Sequence, residues 1–70
     1  KTVKAPMPGS ILRFTVKPGD TVTKSQTVVI LEAMKMENSI ATDYAGTVKR
    51  LLVKEGTTVA ADAPMIEIEA

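Results

Sequence analysis

Seventy residues amount to a single domain, and a chain this short buries only about three fifths of its unfolded surface, so its core is thin. It has no cysteine and no histidine, which excludes disulfides, Cys-based zinc sites and the commonest catalytic base, and leaves stability to apolar packing. Nine basic and eight acidic residues, scattered to a net +1, give no electrostatic footprint for nucleic acid or an anionic membrane. The longest aliphatic run, Val28-Val29-Ile30-Leu31, is too short to cross a bilayer, and no signal-peptide core opens the chain. A soluble protein is expected, and the missing cysteines are compatible with the cytoplasm.

In chain order, β-branched and aliphatic residues separated by turn formers predict eight short strands. Residues 2–5 are the first, followed by Ala5-Pro6-Met7-Pro8-Gly9. Residues 11–16 are the second, closed by a turn at Lys17, Pro18 and Gly19. Residues 21–22 and 27–33 complete one half. The other half holds residues 36–42, 47–53, 58–60 and 65–69, with alternation clearest from Met65 to Glu69. No segment sustains helical periodicity.

Displaced by 37 residues, the chain overlays itself. Gly9 falls on Gly46, Arg13 on Arg50, Val16-Lys17 on Val53-Lys54, Gly19 on Gly56 and Thr21-Val22 on Thr58-Val59. The same register sets Val28-Val29 over Met65-Ile66 and Glu32-Ala33 over Glu69-Ala70. All four glycines pair, and they are expected to mark equivalent turns where positive φ is tolerated. Two such halves, each with an apolar face, are expected to pack face to face about a pseudo-twofold axis, as an all-β flattened eight-stranded sandwich or barrel.

Between the halves, residues 27–33 and 36–42 meet with only Met34 and Lys35 to join them. That spacing predicts a two-residue hairpin, yet such hairpins favour Asn-Gly, Asp-Gly or a glycine because they need positive φ. A local rule broken in an otherwise consistent chain points to a strained or functional site.

A lysine is ordinarily a solvated surface charge, and Lys4, Lys17, Lys24, Lys49 and Lys54 keep that reading. Lys35 differs by its place at a tip that projects toward other macromolecules. An exposed amine is protonated at neutral pH and a poor nucleophile, since catalytic lysines need burial or cationic neighbours. It is therefore read as a target of modification. Met65, and by extension Met7, are read as flexible core filler. Met34 and Met36 stand two apart, which in extended chain sets them on one face opposite Lys35, as an adaptable recognition surface.

The run Glu32-Ala33-Met34-Lys35-Met36-Glu37-Asn38, set between two halves of a β-repeat, resembles the attachment site of the biotinyl, or biotin carboxyl carrier, domain family. The likeness extends over the chain, through Ala5-Pro6-Met7-Pro8-Gly9, Val16-Lys17-Pro18-Gly19-Asp20-Thr21-Val22, Gly46-Thr47-Val48 and Val53-Lys54-Glu55-Gly56. It implies two four-stranded antiparallel sheets with internal pseudo-twofold symmetry. It also implies that a biotin protein ligase joins biotin to Lys35, flanked by Glu32, Ala33, Met34, Met36 and Glu37 as recognition residues. The amide would take the formal charge from +1 to zero. The implied partners are a biotin carboxylase and a carboxyltransferase, or the corresponding decarboxylase or transcarboxylase. The domain itself carries a group and is not an enzyme, in keeping with its lack of a nucleophile and base constellation.

Some members insert a thumb loop in the first half. Here residues 9–33 run in ungapped register with the second copy, so the chain resembles the thumbless type. Residues 1–70 are expected to be one carrier domain, either the C-terminal part of a larger chain or a small subunit. Lipoyl domains share the fold and present their own lysine, but place Asp before it and Ala or Val after it, which Met34 and Met36 do not match. An unmodified β interaction domain is the remaining alternative.

Overall fold

The computed structural model describes residues 1–69 and arranges them in eight strands. These are β1 (Thr2–Lys4), β2 (Gly9–Phe14), β3 (Thr21–Val22), β4 (Thr27–Ala33), β5 (Met36–Ala41), β6 (Gly46–Leu51), β7 (Thr58–Val59) and β8 (Pro64–Glu69). All eight predicted strands are present, with ends displaced by at most two residues. The expected overlay of Ala33 on Ala70 lies outside the described residues.

The strands form two four-stranded sheets, in the orders β1-β8-β6-β3 and β5-β4-β2-β7, with every pairing antiparallel. Moving 37 residues along the chain converts one order into the other, strand for strand. The packing of the halves differs from the expectation that each would present its own face. Each sheet takes two central strands from one half and its two edges from the other, so the halves interlock. The reason lies in the edges: β3 and β7 are two residues long and pair only across the repeat, with β6 and β2. Neither half can complete a sheet alone.

Irregularities in the ladders obey the same symmetry. Between β4 and β5, Thr27 pairs with Ala41 and Val29 with Ile40, leaving Val28 as an extra residue. Between β1 and β8, Val3 pairs with Ile66 and Lys4 with Pro64, leaving Met65 extra. Val28 and Met65 occupy the same place in the repeat. A bulge turns its strand locally, and here it lets two neighbours point inward together, so that Val28, Val29, Met65 and Ile66 are all fully buried. The alternation read from Met65 onward therefore begins at Ile66. Met65 is core, as its reading as filler requires, and Met7 packs partly buried against that core.

The glycines divide into two kinds. Gly19 (φ 95°) and Gly56 (φ 86°) sit in equivalent turns and supply the positive φ expected of them. Gly9 and Gly46 open strands instead of making turns, and what both provide is space, to which Gly46 adds a positive φ of 154°. A Cβ on Gly9 would stand 2.5 Å from the Glu32 carbonyl oxygen, and one on Gly46 would collide with the carbonyl oxygen of Glu69. At these points the backbones of facing strands pass too closely for any side chain.

Candidate functional site

The β4–β5 hairpin turns through Met34 and Lys35, and Ala33 pairs with Met36 across its neck. Both turn residues are left-handed, Met34 with φ 54° and Lys35 with φ 64°. This is the I′ geometry that a two-residue hairpin requires, adopted without the Asn or Gly that normally supplies it. Each left-handed non-glycine residue costs on the order of 1–3 kcal/mol, held in place by the ladder on either side. The ladder is sufficient for that: β4 and β5 pair in six places from Thr27–Ala41 to Ala33–Met36.

Strand alternation fixes what faces where around the turn. Leu31 is fully buried, Glu32 is exposed and Ala33 is 9% exposed, so Ala33 fills the last inward position before the chain leaves the sheet. Met36, its cross-strand partner, shares that inward face, but the core has ended there and the side chain is 66% exposed. Met34 lies in the turn and is 93% exposed. The sequence-based placement of Met34 and Met36 on one face opposite Lys35 therefore does not hold. Two consecutive left-handed residues interrupt the alternation on which it depended. What survives is the exposure: amine and thioethers crown the tip together.

Lys35 is exposed and enters none of the ion pairs among the described residues. Glu32 and Glu37 lie directly opposite each other on the outer face just below it. Like charges placed so repel, and Arg13 relieves this from β2, its Nη2 standing 4.0 Å from Glu37 Oε1. Asn38, half-buried, donates from Nδ2 to the Met36 carbonyl at 3.2 Å, bracing the strand as it leaves the turn. Sequence reasoning assigns no role to Arg13 or to the Asn38 side chain. For Asn38 a signal exists, because short polar amides bond to nearby backbone. Arg13 has none, since its approach depends on a register visible only in the fold.

Two surface grooves, one lined by Phe14, Val16, Leu51 and Val53 and the other by Met7, Asn38, Ile40 and Asp43, do not include Lys35. Among the described residues no group of three or more acidic side chains is placed to hold a metal ion. The arrangement is that of an amine offered outward.

A sequence model described as "Biotin-requiring enzyme", of the biotin/lipoyl type, matches residues 1–68. The chain belongs to this biotin-requiring family. A biotin carboxyl carrier protein of Streptococcus mutans is 52% identical over 67 residues, which cover 96% of this chain and 52% of that protein. The mitochondrial propionyl-CoA carboxylase alpha chain of Homo sapiens is 40% identical over 67 residues, covering 96% of this chain and 9% of that one. In three dimensions the biotin-family fold matches the crystal structure of Kluyveromyces lactis urea carboxylase with a TM-score of 0.92 at 28% identity, over 99% of this chain and 6% of that one. The chain thus spans about half the length of the carrier protein and under a tenth of the carboxylases. No helix among the described residues is long and apolar enough to cross a membrane.

Proposed function

We propose that this is a biotin carboxyl carrier domain, with biotin joined as an amide to the ε-amine of Lys35, and that it serves a biotin-dependent carboxylase, decarboxylase or transcarboxylase without being catalytic itself. One observation carries the reading: in a chain of the biotin-requiring family, Lys35 stands exposed in a strained I′ turn between two exposed methionines. Its amine is free of intramolecular ion pairs among the described residues, so a ligase reaches it without first breaking one.

Bound biotin supplies the ureido nitrogen on which a carboxyl group travels. The chain's own residues position it. The β4–β5 ladder holds the tip away from the body, Ala33 and Asn38 anchor its base, and the turn sends the lysine stem outward. Tethering makes each encounter with an active site intramolecular, with an effective concentration that reaches the millimolar range for short flexible links (~mM). Glu32 and Glu37 give the tip an acidic flank for the ligase to read. Met34 and Met36 give it a soft apolar contact for the enzymes that it visits. The partners are accordingly a biotin protein ligase and the carboxylase and carboxyltransferase components, or the corresponding decarboxylase, and the compartment is the cytoplasm, or the mitochondrial matrix in a eukaryote.

Co-expression with a biotin protein ligase, read by streptavidin gel shift and intact mass, tests this. The native chain gains one biotin and Lys35→Arg gains none. Label persisting on Lys35→Arg refutes the site, a lipoyl-sized adduct refutes the cofactor, and a native chain without any adduct leaves an unmodified interaction domain.

A further inference from the structure

The chain contains no cysteine and no tryptophan, so its oxidisable sulfur resides in four methionines. Their exposures are sharply graded. Met65 is 0% exposed and Met7 is half-buried against the core. Met34 and Met36 are 93% and 66% exposed, on either side of Lys35. Among other electron-rich side chains, Tyr44 is half-buried, with the Lys1 ammonium 5.3 Å above its ring. An oxidant reaching this domain from solvent therefore meets the two thioethers of the tip first.

We propose that Met34 and Met36 form a reversible oxidation site that disables the tip toward the enzymes it serves. The proposal rests on the reading of Lys35 as the attachment point and adds a regulation to it. Hydrogen peroxide transfers one oxygen to each thioether, giving a sulfoxide and water. A sulfoxide reductase with a dithiol returns the thioether, giving a disulfide and water. Oxidation replaces a flexible apolar group by a polar, chiral one. Here the fold is spared, because neither side chain packs in the core. Docking is not spared: both faces that border the lysine become strongly hydrated, and an enzyme that closes over the tip must desolvate them. The I′ turn adds to the effect by keeping both residues next to Lys35 in the chain, beyond the point where the core ends.

To test this, the unbiotinylated chain is treated with hydrogen peroxide, the peroxide is removed, and only then are ligase, biotin and ATP supplied, followed by biotin carboxylase and bicarbonate. Treating the chain before attachment keeps the thioether of biotin out of the experiment. Peptide mapping is expected to show oxygen on Met34 and Met36 while Met65 stays reduced, with an unchanged melting temperature. Attachment or the subsequent carboxylation is expected to slow roughly tenfold, since two apolar contacts are lost, and to recover after reductase treatment. A Met34→Leu, Met36→Leu chain is expected to ignore the peroxide. Equal rates at both steps before and after oxidation overturn the proposal, as does oxidation of Met65 at the rate of Met34. An untreated chain that fails to take biotin overturns the attachment reading instead, and the streptavidin shift separates the two failures.

Discussion

The turns of the body and the turn at the tip solve the same geometric problem differently. Residues 17–20 and 54–57 close with i to i+3 hydrogen bonds of 3.1 Å, and so do residues 23–26 and 60–63. Each contains one left-handed residue at its third position: Gly19, Gly56, Ser25 or Asp62. Each is also tied to backbone far away in the chain, across the repeat. Gly19 and Gly56 donate to the Val48 and Ile11 carbonyls at 2.8 and 2.6 Å, and Ser25 and Asp62 to those of Thr42 and Ala5 at 2.8 and 2.7 Å. The tip has two left-handed residues, both with long side chains, and among the described residues no such tie to distant backbone. Body turns are built to hold the halves together. The tip stands exposed and clear of the body, and carries left-handed strain at a lysine between two methionines.

Lys35→Arg separates the two most completely. It is expected to remove all label in the streptavidin assay while shifting the melting temperature by no more than a few degrees, because an exposed turn side chain contributes little packing. If the domain unfolds instead, the tip has a structural role that its exposure contradicts.

Next in size are the buried partners that the repeat relates. Leu31 and Ile68 are equivalent, and they are 0% and 1% exposed. Each changed to alanine is expected to lose about 2–5 kcal/mol in denaturant unfolding, with biotinylation of the folded fraction unaffected. A large difference between the two would show that the halves are not energetically equivalent despite their shared geometry.

Gly9→Ala is expected to cost about 1–3 kcal/mol, as the new methyl meets the Glu32 carbonyl and displaces backbone. Because Glu32 leads directly into the hairpin, this variant also tests how far the tip depends on the body. Slower attachment at equal folded fraction would mean that strain at the base reaches Lys35.

Much of this architecture is legible in the amino-acid sequence. Gly46-Thr47-Val48 repeats Gly9-Ser10-Ile11, and Thr58-Val59 repeats Thr21-Val22, so the strand count and the twofold relation follow from the chain alone. Lys35 stands out because its hairpin lacks turn residues, and its backbone is indeed left-handed. The bulges at Val28 and Met65 are not legible, because a bulge is a relation between paired strands and leaves only two adjacent apolar residues in the sequence. The exchange of edge strands between halves is hidden for the same reason: period and composition say which face is apolar, but not which strand lies beside it. The expectation of turns at Gly9 and Gly46 fails because a glycine admits two uses, positive φ and close approach, and the second shows only in the facing carbonyls of Glu32 and Glu69, Gly46 serving both uses at once.

The smallest expected effect is also the one that tests the comparison most directly. If Met34 and Lys35 are kept for function at a cost to stability, then the paired change Met34→Asn, Lys35→Gly, which installs the preferred I′ residues, should stabilise the domain. The expected gain is about 1 kcal/mol, since Asn keeps part of the left-handed cost and Gly offsets part of the relief with its greater loss of chain entropy, and it should appear as a raised denaturant midpoint with an unchanged slope. The same chain should take no biotin. Gly56→Ala, in a body turn with open space around the added methyl but a φ of 86°, should move stability the other way by a similar amount. If the paired change at the tip is destabilising instead, then the methionines and the lysine stem contribute more to the hairpin than their exposure indicates, and the turn is not strained for the sake of reach.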